Sequence, residues 1–223
     1  MTRDETLKIL CDVGLVPVIR AKSADVLIDI ARAMIAGGIP VAEVTMTVPG
    51  AIDGIRRLVQ TFGKDLLVGV GSVTRPVQVE EAADAGAEFV VSPVLVPEVI
   101  AAARRRGKVS IPGAFTATEV FQAHQLGADV VKIFPANVGG PAYFKALLAP
   151  MPLLKLMPTG GVDLSTVGAF LKAGAVTLGA GAALVDARAV ETRNWLLLTD
   201  LARRFREEVK KARGASPPMR SAE

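Results

Sequence analysis

Two charged residues stand inside otherwise apolar segments, and their types are those of imine chemistry. Lys132 lies in Asp129-Val-Val-Lys-Ile-Phe-Pro135. Strand alternation puts Val130, Lys132 and Phe134 on one face and Val131 and Ile133 on the other. A lysine so placed either reaches solvent on its aliphatic stem or is buried. Burial disfavours the charged form, so a desolvated lysine gives up its proton more easily. The neutral amine can then attack a ketone and form a Schiff base. Glu43 stands in Val41-Ala-Glu-Val-Thr-Met46, sharing a face with Val41 and Thr45. A carboxylate in mid-strand is unfavourable without a partner, and a lysine across the sheet would supply one. The pair reads either as a buried ion pair or as an amine nucleophile beside a proton shuttle.

Other polar and small residues close short β-branched runs. Thr159-Gly160-Gly161 and Gly179-Ala-Gly181 expose backbone N–H groups of the kind that hold phosphate, although tight turns also need glycine. Arg20, closing Val16-Pro-Val-Ile-Arg20, could clamp a carboxylate in a forked geometry or stand in solvent. Among 223 residues there is one histidine, His124, and one cysteine, Cys11. Ser-His-Asp and Cys-His nucleophile systems, and most zinc sites, need more of these. No metal and no cofactor is expected, although carboxylates alone could hold magnesium. A lone cysteine allows no intrachain disulfide, which fits a reducing compartment. His124 falls late in a helical stretch, far from the strand ends, and is given no catalytic role.

These residues must be positioned by a repeating unit: a helical stretch, a glycine-containing turn, then a short β-branched run. Strands are expected near 16–20, 41–46, 67–70, 89–92, 109–111, 130–134, 155–157 and 176–178. Helices are expected near 23–36, 51–62, 76–85, 97–106, 116–126, 142–148, 165–172 and 195–211, with Ser23, Thr118-Glu119 and Ser165 as capping signals. Eight alternating units point to an α/β fold, a (β/α)8 TIM barrel in one domain over 1–213. An extra N-terminal helix near 3–10 would close its bottom, and a tail over 214–223 is expected to be disordered. Chemistry in such a barrel sits at the C-terminal ends of the strands.

Composition narrows the setting. The chain is 51% hydrophobic but only 4% aromatic, so its core is built of small branched side chains. The net charge of +4 is modest, and the arginine clusters at 104–106 and 203–213 lack interleaved aromatics, so no nucleic-acid partner is expected. The charged N-terminus is no signal peptide and no apolar run reaches membrane-spanning length, which gives a cytoplasmic protein with no membrane partner as the expectation.

Taken together these residues resemble the 2-keto-3-deoxy-6-phosphogluconate (KDPG) aldolase family, also described as 4-hydroxy-2-oxoglutarate aldolases. The similarity runs from about Leu15 to Val185. It is carried by Val-Pro-Val-Ile-Arg20, Glu43-Val-Thr-Met-Thr-Val-Pro49, Val-Gly-Val-Gly-Ser72-Val-Thr, Phe-Val-Val-Ser92-Pro93, Ile-Pro112-Gly113, Val-Lys132-Ile-Phe-Pro135 and Pro158-Thr-Gly-Gly161. The resemblance implies a class I aldolase that splits a phosphorylated keto sugar acid into pyruvate and glyceraldehyde 3-phosphate, as a homotrimer without metal. It implies Lys132 as the Schiff-base lysine and Glu43 as the proton-shuttling glutamate. Arg20, Ser72 and Thr159 are implied on the carboxylate side, and Gly160, Gly161 and Gly181 on the phosphate side. Thr45, Thr47, Pro93 and Phe134 would form the pocket wall. Two departures stand out. Thr47 occupies a position where one branch has a carboxylate-binding arginine, so Arg20 takes over that role. Ala182 replaces a serine that contacts phosphate in many members; a lost hydrogen bond to a charged group is worth ~1.5–3 kcal/mol. The C4-epimeric galactonate aldolase, a phosphate-binding barrel isomerase or epimerase, and a non-catalytic oligomeric scaffold are the competing readings.

Overall fold

A computed structural model describes residues 1–214. The chain opens with helix α1 (Arg3–Val13) and then alternates. It runs through β1 (Val16–Ile19), α2 (Leu27–Ala36), β2 (Val41–Thr45), α3 (Ala51–Phe62), β3 (Leu67–Gly71), α4 (Pro76–Asp84), β4 (Phe89–Val91), α5 (Pro97–Arg105) and β5 (Val109–Ile111). There follow β6 (Gly113–Ala114), α6 (Ala117–Gln125), β7 (Val131–Ile133), α7 (Ala136–Leu148), β8 (Leu156–Pro158), α8 (Val167–Lys172), β9 (Gly179–Ala180), α9 (Ala187–Glu191) and α10 (Trp195–Gly214). The tail expected to be disordered lies, beyond residue 214, outside the described residues. No helix among them is long and apolar enough to cross a membrane.

The strands form a curled parallel sheet. Six stand in the order β5-β4-β3-β2-β1-β9 and three in the order β6-β7-β8. The fifth expected strand, 109–111, is β5, and Pro112, which has no N–H to give to a ladder, separates it from the short additional strand β6. Isolated parallel bridges, Leu156 with Ala175 and Thr159 with Gly179, join the segment of β8 to that of β9. Strands are buried along their whole length, as parallel strands covered by helices must be. The register carries the chemistry: Glu43 stands beside Val18 and Gly69, and Lys132 beside Gly113 and Met157.

Several expected boundaries are corrected. The last strand is β9 at Gly179–Ala180 and not 176–178, where only single bonds form, Val176 N–H to Leu156 O and Val16 N–H to Leu178 O. Thr116, not Thr118, pairs with Glu119 in a reciprocal cap on α6. Ser165 caps no helix; it lies in a turn in which Asp163 Oδ1 accepts from the N–H groups of Ser165 and Thr166. Helix α7 begins directly after Pro135, with a break at Gly140 just before Pro141, and α9, capped by Asp186, has no counterpart among the expected helices.

Helix α1 meets the sheet at the N-terminal ends of its strands. Arg3 Nε donates to Asp129 Oδ1 at 2.7 Å, and Asp129 stands two residues before β7, the strand that carries Lys132. The last turn of α1 has no basic residue of its own. Arg206 and Arg213 of α10 fill that role, donating to the carbonyls of Val13 and Asp12, each at 2.8 Å.

Candidate active site

Lys132 and Glu43 both point into the buried side of the curled sheet and are 3% and 1% exposed. They are not joined by a salt bridge, so the simple ion pair is not what the side chains form. Each still feels the other. Burial pushes the Lys132 ammonium below the ordinary lysine range; Glu43 opposes that shift and Arg20 adds to it. Burial pushes the Glu43 carboxyl upward, and Lys132 and then Arg20 draw it back. Both shifts run toward the uncharged forms, amine and carboxyl, the direction that acid–base work at such a pair uses.

Two buried oxygens at this end of the sheet have no hydrogen-bond partner, Glu43 Oε2 and Thr159 Oγ1. A buried polar atom left unpaired is costly, and a bound substrate is one way to satisfy it. Glycines make room for both side chains. A Cβ on Gly71 would stand 1.9 Å from Glu43 Oε1, and one on Gly179 would stand 2.3 Å from Thr159 Oγ1. The Phe134 ring centroid lies 4.9 Å from Lys132 Nζ, close enough for the ring face to act on the ammonium form.

A cavity of about 340 Å³ opens beside these groups, and it brings together Arg20, Phe134, Thr159, Gly160, Gly161 and Gly181. Neither Lys132 nor Glu43 forms its wall; Phe134 and Arg20 connect it to them. Four further expected site residues, besides Lys132 and Glu43, are not in that wall. Ser72 follows β3 with a φ of 59°, half-buried. Pro93 packs its carbonyl against Gly113. Thr45 is buried, donates to Ile19 O at 3.1 Å and meets Thr47 Oγ1 at 2.7 Å, so it ties β2 to β1. Thr47 is exposed and lines a neighbouring cavity with Arg20, Lys22 and Arg193. Ala182 lines the first cavity as well, and Val18, Val162, Asp163 and Ala183, which sequence reading missed, complete it. Asp163 stands two residues after Gly161, but that place alone does not mark it in the sequence. His124 is exposed on α6 and lines a depression with Arg3 and Asp129, at the opposite ends of the strands.

The family model described as KDPG and KHG aldolase matches residues 7–201. This chain belongs to the KDPG and KHG aldolase family. Among its relatives is the 2-dehydro-3-deoxy-phosphogluconate aldolase of Treponema pallidum, 35% identical over 85% of this chain and 90% of that protein. The solved KDPG aldolase of Legionella pneumophila, with pyruvate captured as a covalent carbinolamine, is 32% identical. It superposes with a TM-score of 0.83 over 89% of this chain and 96% of that one. A native KDPGal structure, 31% identical, gives the same score over 90% and 96%. Within this aldolase family the observed geometry is coherent: one buried amine, one buried carboxyl and a cavity between glycine-rich strand ends.

Proposed function

We propose that this protein is a class I aldolase that reversibly cleaves 2-keto-3-deoxy-6-phosphogluconate, or a close relative, to pyruvate and an aldehyde. The observation that carries the reading is Lys132 buried in the sheet, with its proton made labile, near a Glu43 whose Oε2 has no partner. Neutral Lys132 attacks the C2 ketone, and Glu43 relays protons as the carbinolamine loses water to give the iminium. Glu43, through a water, then takes the C4 hydroxyl proton. The C3–C4 bond breaks, its electron pair enters the iminium, and the aldehyde departs. The resulting enamine is protonated at C3 and hydrolysed to release pyruvate. Arg20, Ser72 and Thr159 orient the carboxylate so that the breaking bond lies along the π system. Gly160, Gly161 and Gly181 offer N–H groups to the far end of the substrate, and Phe134 and Pro93 keep water from the amine.

The iminium is the electron sink, so the reaction calls for neither metal nor cofactor. Relatives also support two neighbouring substrates, 4-hydroxy-2-oxoglutarate and the galactonate epimer. The strand order and the bridges between β8 and β9 support a closed (β/α)8 barrel in one domain, with α1 across its bottom. We further assign a homotrimer in the cytoplasm, without nucleic-acid or membrane partners. Borohydride reduction with pyruvate tests the mechanism: the adduct maps to Lys132 and vanishes in Lys132→Ala. A label on another residue, or one that survives the substitution, would sink it.

A further inference from the structure

The far end of the cavity carries the wrong charge for a phosphate. Of the residues that line it, Arg20 is the one cation, and in the reading above Arg20 is engaged by the pyruvate carboxylate. Beyond it the wall is Gly160, Gly161, Val162, Asp163 and the Gly181-Ala-Ala183 turn. Asp163 brings an anion to the turn where the distal group must lie. Its Oδ1 accepts from Ser165 N–H at 2.9 Å, Ser165 Oγ at 2.6 Å and Thr166 N–H at 3.0 Å. The bonds from Ser165 hold its carboxyl below the usual range, against a smaller effect of burial, so it is ionised at neutral pH. It has no salt-bridge partner among the described residues. The same bonds consume the backbone donors that open the turn into α8, and Val167 N–H is taken by Asp163 O. Ala182 adds no hydroxyl. The remaining N–H groups of the glycines can bond a hydroxyl oxygen as well as a phosphate oxygen, the charged one more strongly, and the Asp163 carboxylate works against that advantage.

We infer that this end of the cavity also accepts an uncharged, hydroxylated chain end, which Asp163 receives as a hydrogen-bond acceptor, and that the same carboxylate weakens the hold on a dianion. Asp163 is then a specificity-determining residue, and the unphosphorylated 2-keto-3-deoxy acid is a substrate in its own right. This rests on the aldolase reading. With that substrate the C3–C4 electron pair passes to C3 and into the iminium, and the C4 hydroxyl proton passes to Glu43 through water. C4 leaves as the carbonyl of free glyceraldehyde in place of its 3-phosphate.

The test is kcat/KM for 2-keto-3-deoxy-6-phosphogluconate and for its dephosphorylated form, on the full chain and on Asp163→Asn and Ala182→Ser. We expect the wild type to favour the phosphorylated acid by less than tenfold. Asp163→Asn keeps the Oδ1 acceptor and removes the charge, and it should raise that preference at least threefold. Ala182→Ser, which leaves the turn intact, should raise it in the same direction. A wild-type preference of tenfold or more, or a preference that Asp163→Asn does not raise, overturns the inference. Pyruvate trapping on Lys132 does not involve the distal end. If trapping succeeds while the ratio is high, only this inference fails; if trapping itself fails, the aldolase reading goes with it.

Discussion

At Lys132 and Glu43 two opposing effects act on each group, and their order decides the chemistry. Burial is the larger for both, moving the amine down and the carboxyl up, while each partner resists the other's shift. The carboxylate therefore holds the lysine in its charged form more than burial alone would allow. Glu43→Gln removes that influence, so the Lys132 pKa falls further and the rising limb of imine formation moves to lower pH. The rate of borohydride-trapped pyruvate against pH reads this, and an unmoved or raised limb contradicts it. The same variant loses the proton relay, and kcat for cleavage should drop by roughly 10²–10⁴-fold. Both residues were legible in the sequence because a charge in an apolar strand demands a reason. Asp163 was not, because a carboxylate in a glycine-rich loop demands none until its neighbours are known.

At the scale of elements, β2 and β3 position the carboxyl together. Glu43 extends over Gly71, where a Cβ would lie 1.9 Å from Oε1. Next to it on β3, Gly69 leaves space for the Phe89 ring, whose nearest atom would lie 2.3 Å from a Cβ. Gly71→Ala should thus displace the carboxyl by about an ångström while leaving Lys132 in place. Misplacement of that size costs about 10²-fold in kcat. Circular dichroism should show the fold retained; full activity in a folded Gly71→Ala protein would refute the packing argument. Hydrophobic alternation and glycine turns made most strands and helices readable. The additional strand β6 beyond Pro112, and the place of β9, depend on which carbonyls face which N–H groups, and that is a property of the assembled sheet.

Across the whole molecule, one buried group links the amino-terminal helix to the strands that carry the site. Asp129 accepts from Arg3 Nε at 2.7 Å and from Ser110 N–H at 2.8 Å, so it joins α1, β5 and the entry to β7. Asp129→Ala leaves the Ser110 N–H without that acceptor, and urea unfolding should report a loss of about 1–3 kcal/mol. Arg3→Ala should cost less, under about 1 kcal/mol, because the Arg3 side chain is 42% exposed and water screens its half of the pair. Equal losses from the two would place the stabilisation in the ion pair and not in the backbone contact. By itself the sequence determined the alternating α/β plan, the amine and carboxyl that suit imine chemistry, and the glycine-rich strand ends. Those follow from periodicity and from the cost of burying charge, both local in the chain. Only the tertiary structure decided that Lys132 and Glu43 act on each other without a salt bridge, that Gly71 and Gly179 clear space for Glu43 and Thr159, and that Asp163 lines the cavity. Each of these is a contact between segments far apart in sequence, and its energy depends on distances that no residue pattern encodes.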